Sequence, residues 1–148
     1  MFKTVIALLL LGVVVAEKER KHNPNPISTN PTMSSYSPLT THVLDTSKGE
    51  PARALKIELY KSTGENEWTS IANGETNNDG RLPALLTQAD FTRGIYKIKF
   101  DTGDYFRKNS VEGFYPYAEV VFEIQDPNQH YHVPLLLSPY SYSTYRGS

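Results

Sequence analysis

The stretch "ALKIELYKS" (54–62) puts the tightest limit on the fold. Leu55, Ile57 and Leu59 fall on one side of an extended chain, and Lys56, Glu58 and Tyr60 on the other. Alternation with period two marks a strand that buries one face. "GIYKIKFD" (94–101) alternates in the same way, and "YAEVVFEI" (117–124) reads as a further strand. "LTTHVLDT" (39–46), "HYHVPLLL" (130–137) and "YSYSTYR" (140–146) add three more, and "EWTSIANGET" (67–76) one of weaker pattern. Between them lie "SKGEPA" (47–52), "NNDG" (77–80), "DPNQ" (126–129) and "SP", all rich in residues that favour turns. "TGDYFRKN" (102–109) is the candidate short helix, and "TQADF" (87–91) a single helical turn capped by Thr87. Short strands at this spacing predict an all-β chain folded as an antiparallel β-sandwich. Pro134 should mark a sheet edge or a bulge. The polar strand 140–146 suits a wet cavity or a subunit interface better than a core.

The 148 residues suffice for one ordinary domain. A net charge of −1 offers no electrostatic reason to expect a nucleic acid or an acidic membrane as partner. The absence of cysteine excludes disulfides, thiolate catalysis and cysteine-held zinc. "MFKTVIALLLLGVVVA" (1–16) carries one lysine, an apolar run and small residues at Val14 and Ala16, the pattern of a cleaved signal peptide. Residues 17–37 are charged, then rich in Pro, Asn, Ser and Thr, and read as a flexible linker in which His22 has no assigned role. The folded domain is expected over 38–148, exported and with no membrane association once the leader is removed.

Chemistry near neutral pH falls to the four histidines, His22, His42, His130 and His132. His130 and His132 stand two apart on a strand and share a face. His42 lies in the first strand, and Arg81 directly follows "NDG". Singly, each is an ordinary half-buried histidine or solvated arginine. Gathered at one cavity, they could hydrolyse a polarised carbonyl, an imidazole activating water and Arg81 stabilising the oxyanion. A different grouping, His42 with His130 and His132, could hold a zinc ion.

"LTTHVLDTSKGEPA", "TNNDGR", "GIYKIKFDTGDYF", "FYPYAEVVFEI" and "HYHVPLLLSPYSYSTYRGS" together resemble the transthyretin family, and within it the 5-hydroxyisourate hydrolase branch. The likeness runs from Leu39 to Ser148, and the closing "YRGS" is the mark of the enzyme branch. It implies a prealbumin-like sandwich with one short helix, a homotetramer, and active sites where two dimers meet at a central channel. It implies hydrolysis of 5-hydroxyisourate to 2-oxo-4-hydroxy-4-carboxy-5-ureidoimidazoline in urate breakdown, with no cofactor and no resident metal. His42, Arg81 and His132 are then the catalytic candidates. His130, Tyr145, Arg146 and Ser148 join His42 and Arg81 around the substrate. The leader points to secretion, whereas many relatives are peroxisomal; "RGS" is no peroxisomal tripeptide. The competing function is a carrier of small aromatic ligands in the tetramer channel.

Overall fold

The computed structural model describes residues 37–147. The signal peptide expected over 1–16, the linker up to residue 36 with His22, and Ser148 lie outside the described residues. In chain order the elements are β1 (Leu39–Asp45), β2 (Glu50–Pro51), β3 (Lys56–Gly64), β4 (Glu67–Glu75), β5 (Arg81–Leu82), β6 (Gly94–Phe100), α1 (Thr102–Lys108), β7 (Ala118–Ile124), β8 (Tyr131–His132), β9 (Leu135–Ser138) and β10 (Ser141–Thr144). They form two sheets. One has the order β10-β9-β1-β2, with β5 and β8 also paired to β1, and the other has the order β4-β3-β6-β7.

The core lies between the sheets, where the alternating residues of the sequence meet. Leu55, Ile57 and Leu59 face Leu39, Val43, Leu135 and Leu137, all essentially removed from solvent. β6 contributes Tyr96, Ile98 and Phe100. Burying such side chains is worth about 1.5–3 kcal/mol each, which lets a chain without disulfides hold together. The weak pattern of β4 has a simple cause: it is an edge strand paired only with β3, and most of its residues face water.

Helix α1 begins at Asp101, whose carboxylate accepts from the backbone N–H of Asp104 at 3.1 Å. Arg107 and Lys108 sit at its C-terminal end, where the helix dipole favours positive charge. Tyr105 and Phe106 are buried. The turn at 87–91 forms as expected, with Thr87 Oγ1 donating to Asp90 Oδ2 at 2.6 Å.

Two details depart from the sequence reading. The sandwich is not antiparallel throughout, because β1 runs parallel to both β8 and β9. A hairpin forces neighbours antiparallel, but every strand of the second sheet lies between β1 and β8 along the chain, so no tight turn joins them and either direction is open. Secondly, Pro134 marks neither an edge nor a bulge. It splits the expected strand 130–137 into β8 and β9, and the register with β1 continues across the gap, from Thr40↔His132 to Val43↔Leu135. The N–H of Val133 turns towards β1 and donates to Thr40 O at 3.0 Å. By alternation, the N–H that Pro134 lacks would have faced the C-terminal segment. β10 accordingly ends at Thr144, short of the expected 146, and pairing resumes only at the isolated bridge His132↔Gly147.

Candidate active site

β1 alternates strictly. Thr41, Val43 and Asp45 are buried in the core, while Thr40, His42 and Leu44 are half-buried on the other face. Pairing on both sides of this strand assembles the cluster. On one side β5 sets Arg81 opposite His42. On the other, β8 sets His132 opposite Thr40.

The "NNDG" turn aims Arg81. Asn77 Oδ1 accepts from the N–H groups of Asp79 and Arg81, both at 2.9 Å, which closes the loop on itself. Gly80 adopts φ +72° and its carbonyl accepts from Val43 N at 2.8 Å. A Cβ there would sit 2.4 Å from the Val43 carbonyl oxygen and 3.3 Å from His42 Cδ2, so the turn can lie this close to His42 only with glycine.

His130 and His132 do turn to the same face, and both reach one hydroxyl. Thr40 Oγ1 lies 2.9 Å from His132 Nδ1 and 3.1 Å from His130 Nε2. The C-terminal segment covers the opposite edge of the His132 ring. Gly147 N donates to His132 O at 2.9 Å, and a Cβ on Gly147 would meet His132 Cδ2 at 2.5 Å.

The electrostatics favour the uncharged form of His42 and His132. His132 is shifted below the ordinary histidine value of 6.5 by burial, then by Arg81, then by the other two imidazoles. His42 is lowered by burial and by Arg81, against an opposing pull from the backbone carbonyl and carboxylate of Asp79. Two unprotonated imidazoles beside a fixed guanidinium suit proton abstraction next to a developing negative charge.

The remaining expected site residues are placed differently. Tyr145 is exposed and lines a cleft of about 340 Å³ together with His132, Tyr131, Val133 and the edge strand β7. Arg146 lines the same cleft. Its Nη2 donates to Gln129 Oε1 at 2.9 Å and its guanidinium stacks 5.0 Å above the Tyr131 ring. Among the described residues no three His, Cys, Asp or Glu side chains converge as a metal site, so the zinc grouping of His42, His130 and His132 is not assembled.

Three residues escaped the sequence reading. Thr40 was visible only as a strand neighbour of His42, since its parallel pairing with β8 has no local signature. Asp79 lay inside the turn signal "NNDG". Gly147 stood within "YRGS" but carries no functional group to draw attention.

A two-sheet sandwich with a histidine–arginine–histidine cluster across its first strand defines the class. The chain belongs to the HIUase/Transthyretin family, whose model matches residues 39–147. The mouse 5-hydroxyisourate hydrolase is 51% identical over 113 residues, covering 76% of this chain and 96% of that protein. The 5-hydroxyisourate hydrolase of Halalkalibacterium halodurans is 47% identical over 115 residues, covering 74% of this chain and 97% of its own length. Among solved structures, sea bream transthyretin in complex with thyroxine superposes with a TM-score of 0.71 at 37% identity, covering 74% of this chain and 94% of that one.

Proposed function

We propose that this chain hydrolyses 5-hydroxyisourate, opening the six-membered ring at an amide bond in urate breakdown. The observation that carries the reading is the pairing around β1, which sets Arg81 opposite His42 and His132 opposite Thr40 on a single strand. His132, neutral because burial and Arg81 hold its pKa down, accepts a proton from the attacking water. The hydroxyl adds to the acyl carbon, Arg81 stabilises the oxyanion, and the C–N bond breaks as the proton passes to the leaving nitrogen. His42, on the same face of β1 as Thr40 and beside Arg81, contacts the substrate ring. Tyr145 and the end of the chain orient the planar substrate. Arg146 acts by tying the tail to Gln129 and Tyr131.

The working form is a homotetramer of exported chains, with each site completed where subunits meet. Exposed Phe114, Tyr140 and Tyr142 near the β9–β10 turn support burial against another copy. The fold shared with sea bream transthyretin keeps a carrier in view, but a histidine–arginine cluster makes a poor lining for an apolar pocket.

The decisive experiment follows the ultraviolet absorbance of freshly made 5-hydroxyisourate. The chain should consume it far faster than buffer does, and a rate equal to buffer would leave only the carrier. Arg81→Glu reverses the charge at the oxyanion. It should abolish turnover with an unchanged elution volume on gel filtration, and normal turnover would remove Arg81 from the mechanism.

A further inference from the structure

The hydroxyl of Thr40 stands between two candidate bases, 2.9 Å from His132 Nδ1 and 3.1 Å from His130 Nε2. A hydroxyl has one hydrogen to give and two lone pairs to receive with. It cannot satisfy two unprotonated ring nitrogens at once. At least one imidazole must therefore present an N–H to Thr40, and the protonation patterns of the two rings are linked through this single oxygen.

The role proposed for His132 decides which ring donates: a base that takes the proton of water on Nε2 must keep that nitrogen bare, which puts its one hydrogen on Nδ1, 2.9 Å from Thr40 Oγ1. His130 is exposed, so water can serve its other nitrogen. The consistent network runs from His132 Nδ1–H to Thr40 Oγ1, and from the Thr40 O–H to His130 Nε2. Gly147 packs on the Cδ2 edge of His132, so the ring is held from both sides.

We propose that Thr40 is a positioning residue: it fixes His132 as the Nδ1–H tautomer, leaving Nε2 as the bare lone pair that receives the proton of water, and it gives its own hydrogen to His130. Nothing in this arrangement requires substrate to be present, since both hydrogen bonds exist in the free protein. The choice of tautomer rests on the hydrolase reading above, whereas the sharing of one hydroxyl by both rings does not.

The test is made on the full chain with 15N-labelled histidine, as wild type, Thr40→Val and Thr40→Ser. At a pH where the rings are neutral, wild-type His132 should show a protonated Nδ1 and a bare Nε2, and Thr40→Val should show a mixture of tautomers. In the ultraviolet assay, Thr40→Val should lose at least about tenfold in kcat with KM within about threefold, as expected for a mis-set general base. Thr40→Ser, which keeps the hydroxyl, should recover kcat to within about threefold. A wild-type His132 protonated on Nε2 overturns the proposal. Equal loss in both variants also overturns it, because the methyl group would then be what matters. A full chain inactive on 5-hydroxyisourate would sink the hydrolase reading alone, and the nitrogen spectrum of the wild type would still decide the role of Thr40. The wild-type spectrum and Thr40→Ser serve equally if Thr40→Val fails to fold.

Discussion

Gly147→Ala adds one methyl group to the C-terminal segment, and the structure says where it would go. The new Cβ would sit 2.5 Å from His132 Cδ2 and 3.2 Å from its Cβ and Cγ. Carbon atoms pack at roughly 3.5–4.0 Å, so something must give by about 1 Å. Gly147 is not among the glycines of positive φ, so its backbone accepts alanine and the whole effect comes from this contact. If the imidazole moves, it leaves Thr40 Oγ1, now 2.9 Å from Nδ1. If the tail moves, it gives up the Gly147 N–H bond to His132 O and carries Tyr145 out of the cleft. A misplacement of about 1 Å at a reacting group costs on the order of 10²-fold, near 2.7 kcal/mol in the barrier. The loss of one surface hydrogen bond costs only about 1 kcal/mol of stability. The ultraviolet assay should therefore show kcat/KM down by about 10²-fold, carried mainly by kcat, while urea unfolding changes little. Turnover within about threefold of wild type would refute the claim that the tail sets the position of His132.

Other expected outcomes follow from neighbouring contacts. Arg81 helps hold both His42 and His132 below the ordinary 6.5, so Arg81→Gln should raise both midpoints in an NMR titration. With folded pKa values below the unfolded one, the unfolded chain takes up more protons in the window just under 6.5, and stability falls as pH drops through it. Arg81→Gln narrows that window and should lose less stability on acidification; unchanged midpoints would remove Arg81 as a cause. Tyr105→Phe deletes the phenol that donates to the fully buried Asp45 at 3.0 Å and leaves Ser47 as its near partner. Urea unfolding should show a loss of about 1–3 kcal/mol with kcat unchanged, because Asp45 lies on the core side of β1. An unaltered unfolding midpoint would contradict that account.

Most of the fold was legible because each strand advertises its own burial. Leu55, Ile57 and Leu59 alternate with charged or polar neighbours, and that period survives into the sheet. The start of α1 at Asp101 and the turn at 77–80 are equally local, since a capping carboxylate and an Asn-Asp-Gly loop act on their own backbone. The pairing of His130 with His132 was legible too, as a consequence of two-residue spacing. Asp45 gave no such signal. Its complete burial depends on Tyr105 and Ser47 closing over it, and Tyr105 arrives from a helix 60 residues further along the chain.

Local patterning along the chain is enough to set the strands, their buried faces, the short helix and the residue types able to work on a carbonyl near neutral pH. How these meet is a matter of long-range packing. That packing ran β1 parallel to β8 in a register that brings the Thr40 hydroxyl to both histidines. It set Arg146 against Gln129 and Tyr131 and pressed Gly147 onto His132. The difference is one of range. Alternation, capping and turn chemistry are settled by neighbours along the chain, whereas register between distant strands and the close approach of a tail to a ring depend on the packing of the whole sandwich.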